Sequence, residues 1–184
     1  MIRITAISTL LLSLSTSLAA QSTAAGPRAG AWGAEVSFDA SAPEFGGALL
    51  RFRNDRSAWL VGLNASVTRR GSDGALFNPD LEGTFVGVGA RLGFRSLRSP
   101  GSATRPIVGG GILGTLTQFS STSRQWDAGV YGELGITRFF GQSLSAGVTS
   151  DLQLRRTERT FSNQRMIDTR IGFDAVRVAA TVIF

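Results

Sequence analysis

TFVGVGARLGFRS, residues 84–96, sets Val86, Val88, Ala90, Leu92 and Phe94 on one side of an extended chain, with Gly87, Gly89, Arg91, Gly93 and Arg95 on the other. Successive side chains of a strand point to opposite faces, so a period of two over this length predicts a strand with one apolar and one polar face. The pattern recurs along the chain. Near 31–39 it places Trp32, Ala34, Val36 and Phe38 against Glu35, Ser37 and Asp39. Near 47–54 it reads Ala48, Leu50 and Phe52 against Arg51 and Arg53. Near 58–69, Trp59, Val61, Leu63, Ala65 and Val67 oppose Gly62, Asn64, Ser66 and Thr68. Segments near 106–118, 126–138 and 142–155 repeat it, with Ile112, Val130 and Val148 on apolar faces and Gly111, Glu133 and Asp151 on polar ones. The last segment sets Val176, Val178, Ala180, Val182 and Phe184 against Arg177, Ala179 and Thr181. Eight segments result, each permitting a face free of charge.

Alternation fits two opposite solutions. A soluble barrel turns its apolar face inward, whereas a membrane barrel turns it to lipid and keeps polar groups inside. Three features favour the second. Aromatics stand at segment ends (Trp32, Phe38, Phe52, Trp59, Phe94, Trp126, Phe184), as interfacial girdles require. The polar faces are rich in Gly, Ser and Thr with scattered charges, which suits a narrow filled lumen. Segments of about 9–15 residues cover the 9–11 that a tilted strand needs to cross hydrocarbon. An even strand count puts both chain ends on one side. Short turns at 54–57, 97–105 and 138–141 then alternate with longer outer loops at 40–46, 70–83, 119–125 and 156–170. The fold expected is all-β: an eight-stranded antiparallel up-and-down transmembrane β-barrel.

Composition narrows the chemistry. The 184 residues contain no Cys, no His and no Lys, and all 19 basic residues are Arg. Disulfides, thiolate metal sites, imidazole bases and Schiff-base lysines are thereby excluded, and no metal or cofactor is expected. Residues 1–20, MIRITAISTLLLSLSTSLAA, pair Arg3 with an uncharged run closed by small residues, the layout of a secretory signal peptide cut after Ala19 or Ala20. Residues 21–28 read as a flexible leader and 29–184 as the barrel. GGGILG (109–114) matches a dinucleotide fingerprint, but a strand rather than a helix continues from it. Asn64-Ala65-Ser66 is a glycosylation sequon only formally, since it falls in mid-strand.

The closing residues VRVAATVIF resemble the C-terminal assembly signal of bacterial outer-membrane barrels: a terminal aromatic, Phe184, with Val182, Ala180, Val178 and Val176 alternating back from it. RPIVGGGIL (105–113) is similar to a strand common in OmpA-like barrels, with Ile107 where an aromatic is usual. The mature chain thus resembles the barrel-only members of the OmpA/OmpX-like superfamily. That resemblance implies the outer membrane of a Gram-negative bacterium, with the barrel assembly machinery, outer-membrane lipid and lipopolysaccharide as partners. Enzymatic barrels of similar architecture use a His, so a non-enzymatic protein is expected.

Two constellations are candidate sites. Inward carboxylates Glu35, Glu133 and Asp151 are expected to pair with Arg51, Arg91 and Arg177, because ionised groups in a narrow lumen need partners. Such a network reads as a plug, or alternatively as the gate of a narrow channel or small-ligand conduit. Inward glycines would make room for the arginines. The last outer loop carries Arg155, Arg156, Arg159, Arg165 and Arg170, a basic patch suited to lipopolysaccharide phosphates, a surface polyanion or a host ligand. Nucleic acid is not an expected partner of an exported chain. A secreted soluble lipid-binding barrel is the third reading.

Overall fold

The computed structural model describes residues 26–39, 44–70, 83–119, 123–161, 164–173 and 176–184, all strand, turn or extended chain. The expected signal peptide and most of the leader, with parts of the outer loops at 40–46 and 70–83, lie outside them. The strands are β1 (Trp32–Asp39), β2 (Glu44–Asn54), β3 (Ser57–Arg70), β4 (Gly83–Leu97), β5 (Thr104–Gln118), β6 (Ser123–Phe140), β7 (Leu144–Phe161), β8 (Gln164–Phe173) and β9 (Arg177–Ile183). Neighbours pair antiparallel from β1 to β7, and β9 closes the sheet by pairing with both β7 and β1. The result is a closed eight-stranded barrel. Closure removes the free edges that an open sheet must otherwise protect.

At the seam, Trp32 and Phe184 exchange backbone hydrogen bonds of 2.9 Å in both directions. Both chain ends therefore lie at one end of the barrel, with the short connections 55–56, 98–103 and 141–143; this is the turn end. Gly141, at φ 79°, supplies the left-handed residue of the last of these turns.

The outer loop expected at 156–170 is a strand hairpin instead. β7 continues to Phe161 and pairs with β8, from Leu152↔Phe173 to Phe161↔Gln164. β8 and β9 together take the place of one barrel strand: β9 completes the wall, and β8 carries it beyond the level where β1 stops at Asp39. All ten residues of β8 are exposed. Its outward side does alternate, with Ile167, Ile171 and Phe173 on one face, but Arg165 and Thr169 interrupt the stripe and Met166 stands on the other side.

The outward face is apolar as expected on seven of the eight segments. Val36, Val61, Leu63, Val88, Leu92, Ile112, Val130, Leu134, Ile136, Val148 and Val182 all point out and are exposed. The second segment is inverted. Ala48, Leu50 and Phe52 point inward and are buried, while Leu49, Arg51 and Arg53 point out. The reason is a feature periodicity does not signal: the turn end of the lumen is apolar. Leu50, Phe52, Ala58, Leu97, Ile107, Phe139 and Ile183 form one buried cluster there, with Ala31 and Ala103 against it.

Candidate functional site

The middle of the lumen is built by register. Arg95 on β4 pairs with Gly109 on β5, and Gly109 pairs with Glu133 on β6, so one row carries a cation, a gap and a carboxylate. Across the glycine, Arg95 donates from Nε and Nη2 to the two Glu133 oxygens at 2.6 and 2.8 Å. The same guanidinium donates to both oxygens of Glu35, through Nη1 and, at 3.1 Å, through Nη2. Glu35 also accepts from Thr181 Oγ1 at 3.3 Å and from Arg91 Nη2 at 3.4 Å. The row continues from Glu133 to Asp151 on β7, which binds Arg177 from β9. Planar forks on carboxylates are the strong form of charge-assisted hydrogen bond.

Glu35, Arg91, Glu133, Asp151 and Arg177 thus lie together, with Arg91 on Glu35 and Arg177 on Asp151. The hub, however, is Arg95, and Arg51 takes no part. Arg51 lies on the outer face of β2, its guanidinium 4.8 Å from the Trp32 ring centre and bonded to the Gly30 carbonyl. Parity along the strand does not distinguish Arg91 from Arg95; only the cross-strand register does. Space behaves as expected. A Cβ on Gly62 would stand 2.7 Å from Arg91 Nε, and one on Gly109 would stand 3.1 Å from a Glu133 oxygen.

Two further layers complete the interior. Toward the loop end, a cavity of about 40 Å³ is lined by Arg91, Asn64, Tyr131, Asp151 and Arg177 among others. Arg91 Nη1, Asp151 Oδ1 and Arg177 Nε are buried there without a protein partner, and the cavity has the room and polarity that ordered water requires. Toward the turn end, about 30 Å³ separates the ionic row from the apolar cluster. Below the cluster, the buried Arg105 donates from Nε to the Ser102 carbonyl at 2.9 Å and from Nη1 to the Asp55 carbonyl, and stacks on Phe139. Its guanidinium also lies against Gly26, one of the last residues of the expected leader, whose N–H donates to the Gly141 carbonyl at 3.1 Å. Three turn-end segments and the incoming chain are thus tied over the plug.

This architecture is similar to the crystal structure of the N-terminal β-barrel domain of Pseudomonas aeruginosa OprF, at TM-score 0.55 and 15% identity over 86% of this chain and 99% of that one. The likeness is one of fold: a closed eight-stranded antiparallel barrel. No protein-family model matches the chain, and no curated protein does.

On this barrel the expected basic patch is divided between two faces. Arg155 and Arg170 oppose each other on β7 and β8, and with Arg159 they line the inner side of the hairpin. Arg156 and Arg165 belong to the opposite face. Arg165 is held by Glu158 at 2.5 Å, and Arg170 by Asp168 at 2.6 Å. These bonds hold the Glu158 and Asp168 carboxyls below their ordinary range. The inner arginines border a cavity of about 440 Å³ with Gln125, Asp127 and Thr157. Val176, Val178, Ala180, Val182 and Phe184 all point out of the barrel beside the seam.

Proposed function

We propose that this chain is an integral outer-membrane barrel, exported by residues 1–20, which serves the envelope as a closed, non-enzymatic barrel and meets its surroundings through its loop end. The observation carrying this reading is the outer face. Valine, leucine and isoleucine stand exposed on every barrel strand, Leu63 at 68% and Leu134 at 62%, while Glu35, Glu133 and Asp151 are buried within. Water would favour the reverse, and soluble monomers rarely expose a continuous apolar belt. Lipid on the outside satisfies both halves at once, because every backbone group of a closed barrel is paired within the wall.

A closed lumen follows from two serial barriers, the Arg95 row and the apolar cluster, with a space of only about 30 Å³ between them. Glu35, Glu133 and Asp151 are each engaged by arginine, which supports a structural role for these three over acid–base chemistry. The alignment of Val176 to Phe184 along the outer seam is consistent with an assembly signal read by the barrel assembly machinery.

The test is fractionation with a heat-shift gel, followed by planar bilayers. The full-length protein should lie in the outer membrane, run as a compact band that boiling shifts, and show no stable conductance; deletion of Phe184 should deplete the band. Recovery as a soluble periplasmic protein would overturn the membrane reading. A reproducible conductance altered by Arg91→Gln or Arg177→Gln would overturn the closed lumen.

A further inference from the structure

We infer that the outer wall at the turn end, on β1 to β4, holds the headgroup of one anionic phospholipid, with Arg51 as its anchor; this rests on the membrane reading above. Register builds the site. Arg51 of β2 is the direct partner of Trp32 on β1 and of Trp59 on β3, and Trp59 is the partner of Phe94 on β4. All four point outward, so one row across four strands carries a cation between two indoles, with a phenyl ring beyond. Trp59 and Phe94 meet edge to face at 5.3 Å. The guanidinium is held in place from one side: its carbon lies 4.8 Å from the Trp32 ring centre and Nη1 donates to the Gly30 carbonyl. Nε and Nη2 make no bond to a described residue. That edge is the fork that takes two oxygens of a phosphate.

The surroundings of Arg51 are short of carboxylates. Arg53 follows it on the same face of β2. Arg28 lies two residues before Gly30, whose N–H donates to the Phe52 carbonyl at 2.8 Å, and Arg98 follows Leu97, whose N–H donates to the Arg56 carbonyl at 2.6 Å. Arg28, Arg51, Arg53 and Arg98 are all exposed, and none is in an ion pair with a described residue. Among the described residues of the turn end the acidic side chain is Asp55, and Arg56 stands 3.8 Å from it. Residues 1–25 contain no Asp or Glu. The Phe184 oxygen at the seam accepts from the Trp32 N–H at 2.9 Å. An anion at this rim therefore meets several cations and little competition. Position favours a lipid as its source. Leu49 and Val61 pair with each other one outward step from Arg51 and Trp59 toward mid-height, and both are exposed. An acyl chain below a phosphate on Arg51 would lie along them, while the indoles sit at headgroup level. A soluble anion could use Arg53 and Arg98 but would gain nothing from Trp59, Leu49 and Val61.

The experiment reconstitutes the full-length protein carrying Trp126→Phe, so that Trp32 and Trp59 at the turn end are the reporters, into phosphatidylcholine vesicles. Phosphatidylglycerol or phosphatidylcholine with brominated acyl chains is added as a minor component, and quenching gives the preference for one lipid over the other. Phosphatidylglycerol should be preferred, and Arg51→Gln should lower that preference about fivefold, the effect of one arginine near an anionic headgroup. Arg53→Gln should lower it further, and alone it reads the site if Arg51→Gln loses the heat-shifting band. Arg138→Gln, on the outer face of β6 beside Phe140, should leave it unchanged. Glycerol 3-phosphate in the buffer should not relieve the quenching. Equal quenching by both lipids, an equal loss from Arg138→Gln, or relief by glycerol 3-phosphate would each overturn the proposal, the last by assigning the site to a soluble anion. A barrel quenched equally by both lipids sinks the headgroup site alone. Tryptophans that neither brominated lipid quenches sink the membrane reading, and the site with it.

Discussion

Replacing Arg95 by methionine is the sharpest perturbation of the interior. Arg95 is 5% exposed, and its two carboxylate partners, Glu35 and Glu133, are 4% and 1% exposed. Methionine fills much of the volume and removes the charge, so both carboxylates lose their main partner in a lumen that offers little water. Glu35 keeps Thr181 and the 3.4 Å contact to Arg91, whereas Glu133 loses the bonds at 2.6 and 2.8 Å. Breaking a buried pair from one side costs about 3–5 kcal/mol, mostly the penalty of the stranded charge. Glu133→Gln alone leaves Arg95 on Glu35 and should cost about 1–2 kcal/mol. The double variant removes the stranded charge on Glu133, so it should cost about 2 kcal/mol less than the sum of the singles. Urea unfolding in phospholipid vesicles, followed by the outward Trp32, Trp59 and Trp126, measures all four corners. A loss below about 1 kcal/mol for Arg95→Met, or strict additivity, would refute Arg95 as the hub.

Other consequences are separable by position. A Cβ at Gly111 would stand 2.6 Å from the Gly93 Cα, so Gly111→Ala must push β4 and β5 apart and should cost about 1–3 kcal/mol. Gly132→Ala meets nothing within 4 Å and should be neutral or mildly stabilising in the same urea titration. Phe52→Ala should cost about 3–5 kcal/mol by opening the turn-end cluster, again read by urea unfolding; a cost under about 1 kcal/mol would return β2 to the opposite facing. The hairpin should respond to acid. Glu158 is held below its ordinary 4.5, first by the Arg165 hydrogen bond, and Asp168 below 3.8, first by that of Arg170. Groups with depressed values stabilise above their unfolded values and lose that effect as pH falls through the folded ones. Protection factors of the β8 amides, taken relative to the free-chain rate at each pH, should therefore be highest above about pH 5 and fall only in stronger acid; protection that rises on acidification would refute the pairing.

What the sequence made legible was the part governed by period two. Seven segments had one apolar and one polar face, and their facing follows once lipid is taken as the outer solvent. The second segment failed because ALLRFR puts Leu49 beside Leu50, so either facing has an apolar member. Assigning charges inward then chose the wrong one. QRMIDTRIGF failed differently: Ile167, Ile171 and Phe173 share a face, but Arg165 and Thr169 break the run and Met166 lies opposite, so its charges read as a loop. The Arg95 hub was hidden because it depends on Gly109 lying between Arg95 and Glu133 in register, a relation among three strands that no single segment contains.

The inverted β2 also explains how one barrel combines an ionic middle with an apolar end. On the membrane reading proposed above, the wall faces hydrocarbon at mid-height, so polar groups are driven into the lumen and must satisfy one another there. At the turn end the wall reaches the interface, and an outward Arg51 can lie on Trp32 with its charge toward headgroups and water. The inward positions are then free to carry Leu50 and Phe52, which pack with Leu97, Ile107, Phe139 and Ile183. That cluster draws one or more residues from β2, β3, β4, β5, β6 and β9, including the closing strand. It therefore ties the closing strand to the rest of the wall at the turn end, as the bonds of Arg95 to Glu35 and Glu133 tie β4 to β1 and β6 at mid-height. The ionic row fixes register, since a two-residue slip would separate Arg95 from Glu133, while the apolar cluster supplies non-directional burial. Each device does what the other cannot, and the outer solvent, changing along the barrel axis, decides where each one stands.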